Sequence, residues 1–189
     1  SMNILGICGS LRKASYNMAA LRACQDLMPD GMTLRIASIH DLPMYNDDLL
    51  DAGMPEPVQR IRSEIVACDG LLIATPEYNF SLPPVLKNVI DWASRPPNQA
   101  FQDKPVAMFS GTPGLLGGAR VQYDLRRILT QLWAYPLPRP EVFIGAVNTK
   151  FDAQGRLTDE TTRQFLVDLL NGFGDWIVRM QRSQAGGSR

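Results

Sequence analysis

Asn3-Ile4-Leu5-Gly6-Ile7-Cys8-Gly9-Ser10 decides the fold. An apolar run stops dead at a glycine–serine pair, as a strand buried on both faces does. Helical spacing follows over 17–28, with Met18, Leu21, Cys24, Gln25 and Met28 on one side and Pro29-Asp30-Gly31 as the stop. The same alternation then repeats along the chain. Strands are predicted at 33–36, 69–75, 105–110 and 141–144, and helices at 58–67, 85–93, 119–132 and about 159–180. Residues 38–57, rich in Asp, Pro and Gly, show no clean period and read as a long surface loop. Five short strands alternating with helices predict an α/β chain: a single five-stranded parallel sheet sandwiched between two helical layers.

The bulk composition narrows the function. Lys plus Arg and Asp plus Glu balance at 19 each, so no net field draws the chain to nucleic acid or anionic lipid. No apolar run approaches the roughly 20 residues of a membrane span, and no signal peptide is visible, so the chain reads as cytoplasmic. Its 189 residues fit one domain, 1–189, with Ser1 ahead of Met2 as a leftover of cloning and about 181–189 as a flexible tail. Cys8, Cys24 and Cys68 form no CxxC pair and no disulfide framework, and read as small buried hydrophobes. Histidine gives the sharpest exclusion. His40 is the only one, so a Ser-His-Asp triad or a His-containing zinc site would have to use it, and no partner motif accompanies it. If the protein is an enzyme, a cofactor carries the reaction.

In a parallel sheet covered on both faces, ligands sit at the C-terminal ends of the strands. Three loops belong there. Gly9-Ser10-Leu11-Arg12-Lys13-Ala14-Ser15-Tyr16-Asn17 leads from the first strand to the first helix. A helix N-terminus offers free N–H groups and the positive dipole end, Ser10, Ser15 and Asn17 add neutral donors, and Arg12 adds a charged fork. That set suits a phosphate; it also suits a polar turn in which Ser15 or Asn17 only caps the helix. GxGxxG and the Walker lysine pattern are both absent. The second loop, Thr75-Pro76-Glu77-Tyr78-Asn79-Phe80-Ser81, packs a rigid proline, two aromatics, an amide and a carboxylate into one turn, as a planar ring with polar edges requires. Ser81 is expected to cap the next helix ahead of Pro83-Pro84, and Trp92 to lie in the core. The third loop, Ser110-Gly111-Thr112-Pro113-Gly114-Leu115-Leu116-Gly117-Gly118, has four glycines in nine positions and reads either as a ligand wall or as a plain mobile loop.

Taken together, these segments resemble the NADPH-dependent FMN reductase family, which includes bacterial quinone and chromate reductases. The resemblance rests on the first loop, on Thr75-Pro76-Glu77-Tyr78-Asn79 with Leu86-Lys87-Asn88-Val89-Ile90-Asp91-Trp92, and on Gly117-Gly118-Ala119-Arg120 with Gln122-Tyr123. It implies a flavodoxin-like fold, bound FMN, and NADPH or NADH as co-substrate. It places the FMN phosphate on Ser10, Arg12, Ser15 and Asn17, with Leu11 also binding the cofactor. The ring edge falls to Pro76, Glu77, Tyr78 and Asn79, with Ser110 and Gly111 nearby. Similar sequences often carry Pro-Gly where this chain has Pro83-Pro84. Family members are usually dimers or tetramers, so a homo-oligomer is expected.

The implied reaction moves hydride from NAD(P)H to bound FMN and onward to a quinone, free flavin or similar acceptor, in ping-pong order. No side chain is then needed as an obligatory acid or base. Two rival readings stay open: an electron carrier that holds FMN without oxidising NAD(P)H, and an FMN-binding module without turnover. Arg12 and the balanced charge weigh against the carrier.

Overall fold

The computed structural model describes residues 1–186. Its elements alternate as the sequence predicts: β1 (Met2–Cys8), α1 (Tyr16–Leu27), β2 (Met32–Ile36), α2 (Asp47–Asp51), α3 (Glu56–Ala67), β3 (Gly70–Thr75), α4 (Pro84–Ala93), β4 (Pro105–Gly111), α5 (Ala119–Gln131), β5 (Tyr135–Pro136), β6 (Phe143–Ile144) and α6 (Glu160–Ala185). All strand pairs are parallel, in the order β2-β1-β3-β4-β5, with β6 also on β4. The chain runs outward from β1 to β2 and returns on the other side of β1 as β3. The carboxyl ends of β1 and β3 therefore flank a switch point, where a doubly wound sheet opens a crevice for ligands.

Strand residues alternate between two cores. Ile4, Leu72, Ala74 and Phe109 face α1 and α6, while Leu5, Ile7, Leu71, Ile73 and Met108 face α3, α4 and α5. The helices meet them with apolar stripes: Ala20, Leu21 and Cys24 on α1, Val58, Ile61 and Ile65 on α3, and Leu166, Leu170, Phe173 and Ile177 on α6. Each large side chain removed from water contributes roughly 1.5–3 kcal/mol. The central strands are buried on both faces, which holds the loops at their ends on a rigid base.

Four differences from the sequence reading have local causes. The fifth strand position is split. Tyr135 and Pro136 pair with the start of β4, and Phe143 and Ile144 pair with its end. Pro136, Pro138 and Pro140 carry no N–H, so a continuous ladder cannot run between the two pieces. Helix α2 lies inside the expected loop, capped by the Asn46 carboxamide and carrying Asp47 and Asp48 in its first turn. It buries nothing, so no apolar period announces it. Ser81 does not cap α4, whose N-cap is Pro83 without a side-chain bond. Finally, α6 continues to Ala185 instead of ending near Met180, so residues 181–185, expected in a flexible tail, are helical; residues 187–189 of that expected tail lie outside the described residues.

Candidate functional site

The three loops singled out in the sequence meet at the carboxyl ends of β1, β3 and β4. Gly9 joins the first two. Its N–H donates to Ala74 O at 2.8 Å, and a side chain there would begin 2.8 Å from Thr75 Oγ1 and 3.0 Å from Pro83 Cγ. Only glycine lets the first loop lie this close to the second.

Ser15 is the N-cap of α1, its hydroxyl accepting from Met18 N at 3.1 Å, and it is buried. One of the free N–H groups of the first turn is thereby satisfied. The N–H groups of Tyr16 and Asn17 have no acceptor among the described residues. Arg12 is exposed, with its guanidinium donating to Ala14 O at 3.1 Å and lying 5.8 Å from the Tyr16 ring. No carboxylate among the described residues pairs with it. Burial pushes the Cys8 thiol above its ordinary pKa, so the group beneath the loop is neutral. A helix N-terminus with free N–H groups, an unpaired arginine, and no acid between 9 and 17 fits a phosphate in both charge and donor type.

The second loop closes on itself. Tyr78 N donates to Ser81 O at 3.0 Å and Ser81 N to Tyr78 O at 2.9 Å. Both central residues have positive φ, 49° at Asn79 and 71° at Phe80, the pattern of a type I′ turn. Asparagine tolerates that region; phenylalanine does so at a cost of about 1–2 kcal/mol. The turn leaves Tyr78 and Phe80 exposed as flat apolar surface, and the Arg120 guanidinium stacks 3.9 Å from the Phe80 ring centroid. Glu77 does not present its carboxylate to the loop mouth. Its Oε1 accepts from Val121 N at 2.7 Å, the third position of α5.

In the third loop, Ser110 is fully buried and donates to Gly117 O at 2.6 Å, while its oxygen accepts from Gln122 Nε2 at 2.8 Å. Gln122 Nε2 also reaches Val142 O at 2.7 Å, and its Oε1 is buried without a partner. Gly118 caps α5 at φ 87°, and a Cβ there would lie 2.5 Å from both Cβ and Oγ of Ser110. The loop also pairs with the end of β6 and the chain after it, through Thr112 N to Ile144 O, Ala146 N to Gly114 O and Val147 N to Thr112 O. This is a braced wall, not a loose loop. Gly111 is tied to the first loop: Asn17 Nδ2 donates to Gly111 O at 3.0 Å, and Gly111 N donates to Asn17 Oδ1 at 2.9 Å.

All eleven residues expected at the site lie in these three loops or at their edges. Ser10, Leu11, Arg12, Pro76, Tyr78 and Asn79 are at least partly accessible, whereas the polar groups of Ser15, Asn17, Glu77, Ser110 and Gly111 are engaged within the protein. The sequence reading did not foresee Gln122 as the brace of the third loop or Glu77 as the cap of α5. A signal existed for each. Gln122 sits on the apolar stripe with Val121, Leu125 and Leu129, and no capping side chain precedes Ala119.

Other candidates lie elsewhere. His40 is exposed, bonded to Ser38 Oγ at 2.7 Å. Trp92 is buried with its N–H on Pro43 O. Burial pushes the Cys24 thiol up to about 12. A hollow of about 370 Å³ lined by Ile4, Leu34, Arg35, Glu64 and Cys68 sits toward the amino ends of β1 and β2, far along the strands from the three loops. Among the described residues no three His, Cys, Asp or Glu side chains gather as a metal site, and no helix is long and apolar enough to cross a membrane.

Comparison with known proteins gives the family. The sequence profile of the NADPH-dependent FMN reductase family matches residues 2–149. The chain is 47% identical over 180 residues to an NAD(P)H-dependent FMN reductase of Pseudomonas aeruginosa, covering 95% of this chain and 97% of that protein. It is 39% identical over 183 residues to a quinone reductase of Escherichia coli K12, covering 95% and 97%. Among solved structures, the flavoenzyme NAD(P)H:(acceptor) oxidoreductase FerB of Paracoccus denitrificans superposes with a TM-score of 0.87 at 37% identity, covering 95% of this chain and 99% of that one.

Proposed function

The chain belongs to the NADPH-dependent FMN reductase family, and from that premise we propose how its three loops divide the work. It is an NAD(P)H-dependent FMN oxidoreductase acting on a small-molecule acceptor. When bound, FMN supplies a two-electron centre that NAD(P)H reduces and an acceptor such as a quinone reoxidises. The first loop holds the phosphate, with Ser10, Leu11 and Arg12 at its open side and the N–H groups of Tyr16 and Asn17 at the helix end. Ser15 shapes that turn as its cap. The second loop meets the polar edge of the ring through Pro76, Tyr78 and Asn79, with the backbone of Glu77, and the third closes the far side at Ser110 and Gly111.

The observation that carries this reading is Arg12, without a carboxylate partner among the described residues, beside the free N–H groups of α1 and next to a strained aromatic turn and a braced glycine loop. Glu77 supports it by turning its charge away onto α5, so no carboxylate faces the phosphate. On this reading no side chain is needed as an obligatory acid or base, and these residues act by holding two reactants in turn against one surface and by keeping donors in place.

Exposed Tyr78, Phe80, Leu115 and Tyr123 surround the crevice, Leu115 at 94% exposure, which suits a homo-oligomer with a contact beside the flavin. Sedimentation of a monomer at micromolar concentration would remove that part. The same reading makes 1–189 one FMN-binding domain in the cytoplasm, and recovery of the protein with membranes would overturn the location.

The test is the visible spectrum of the protein loaded with FMN and mixed anaerobically with NADPH or NADH. Flavin bands that stay with the protein and bleach within seconds are expected, with parallel initial-rate lines when a quinone is added. Bands that stay but do not bleach make the protein a carrier; no retained flavin overturns the cofactor assignment.

A further inference from the structure

Asn17 stands in the loop that holds the phosphate, at the second position of α1, yet its carboxamide is buried and faces the other way. One of its N–H groups donates to Gly111 O at 3.0 Å, and its oxygen accepts from Gly111 N at 2.9 Å. Both backbone polar groups of Gly111 are therefore satisfied by one side chain, as a neighbouring strand would satisfy them. Asn17 closes the ladder at the point where β4 ends. Ser and Thr lack the length and the two-sided donor–acceptor pair this demands, whereas an amide has both.

Gly111 has little room for a side chain. A Cβ there would lie 2.8 Å from Val147 Cγ2 and 3.4 Å from Asn17 Oδ1. Its neighbour Ser110 is gripped from the other side of the sheet by Gln122. Two consecutive residues are thus fixed by amides from α1 and α5, one on each face. The wall of the ring site is joined to the helix that holds the phosphate.

We propose that Asn17 is a positioning residue for the ring end of the flavin site, acting through Gly111, and that its side chain is not a phosphate ligand. The inference rests on the reading that FMN lies between the first and third loops. Gly111, with its N–H and C=O both used on Asn17, has no free N–H to offer a ring and would meet it by packing. Loss of the amide leaves two buried backbone groups without partners, which loosens the wall.

Riboflavin has the same ring as FMN and no phosphate, so it separates the two roles. Affinities for both are measured by quenching of flavin fluorescence in the wild type, Arg12→Ala, Asn17→Ala and Asn17→Asp. Arg12→Ala should weaken FMN about tenfold or more and leave riboflavin within about twofold, because a charge-assisted contact to phosphate is lost. Asn17→Ala should weaken both flavins by the same factor, on the order of tenfold. It should also shift the visible band of the bound flavin, which Arg12→Ala and a merely destabilising change would not. Asn17→Asp keeps an acceptor for Gly111 N but brings a negative charge close to the phosphate site. Because its second oxygen has no proton for Gly111 O, it should leave riboflavin no tighter than Asn17→Ala does, and FMN weaker still.

An Asn17→Ala protein that loses FMN but not riboflavin, or binds both with an unshifted band, overturns the proposal. A wild type that binds neither flavin overturns the cofactor reading instead. Hydrogen exchange at Gly111 in the flavin-free protein then tests the clamp directly, since unchanged protection in Asn17→Ala shows that the clamp does not form.

Discussion

The loops that lead into α1 and α5 occupy equivalent places at the carboxyl ends of β1 and β4, yet they are built in opposite ways. The first caps its helix from within: Ser15 accepts from Met18 N three residues on. The second has no capping side chain of its own. Gly118 stands at its N-cap with φ 87°, and Glu77, from the loop after β3, reaches Val121 N in its place. The first loop leaves donors open and its arginine unpaired. The second is braced by Ser110, Gln122 and the chain after β6. An anion needs open donors on a preset turn, and a flat ring needs a wall that does not move. The exposed positions of the first loop, between Gly9 and Asn17, should therefore tolerate change that the loop braced from outside does not.

The largest effect expected from that contrast is at Gly118. Gly118→Ala adds a Cβ that would lie 2.5 Å from Ser110 Cβ and Oγ, on a residue whose φ of 87° already disfavours a side chain. The left-handed backbone costs about 1 kcal/mol and the overlap about 1–3 more, so a loss of roughly 3 kcal/mol is expected. For a chain of this size that lowers the melting midpoint by roughly 9 °C. Lys13→Ala in the first loop, where the side chain is exposed, should stay within about 0.5 kcal/mol. Equal effects in the two thermal scans would erase the distinction between the loops.

Glu77 is the next lever, because it serves a helix 44 residues away. Glu77→Ala removes a charged acceptor from the first turn of α5 and is expected to cost about 2 kcal/mol in urea unfolding. Glu77→Gln keeps an acceptor without the charge and should lose about half of that. A Gln variant as damaged as Ala would show that charge, rather than the hydrogen bond to Val121, holds the second and third loops together.

The same contrast explains how much could be read from sequence. β1 to β4 and helices α1 and α3 to α6 are legible because apolar runs end at Gly9, Pro76 or Pro29-Asp30-Gly31, and because helical stripes such as Leu125 and Leu129 recur at the right spacing. The first loop is legible for a similar reason: its cap, donors and charge are neighbours in the chain. The bracing of the third loop joins Gly111 to Asn17 and Val121 to Glu77, partners 94 and 44 residues apart, and no local period encodes such pairs. α2 stayed hidden because it buries no side chain, and the split of the last strand position because prolines 136, 138 and 140 remove ladder donors without removing the apolar pattern.

Ser15 gives a smaller effect than Gly118 or Glu77 and the finest division of labour within the first loop. Ser15→Ala removes a buried N-cap and should cost about 1 kcal/mol of flavin-free stability, read by urea unfolding. Ser15→Asp is the sharper variant. Aspartate caps as well as serine, so stability should stay within about 0.5 kcal/mol of the wild type. Its carboxylate, however, stands at the helix end where an anion must come, and like charge should weaken FMN more than riboflavin. If Ser15→Asp keeps both its stability and its FMN affinity, the phosphate does not lie at the start of α1. A self-capped turn would then be only a turn, and the open donors beside it would need another ligand.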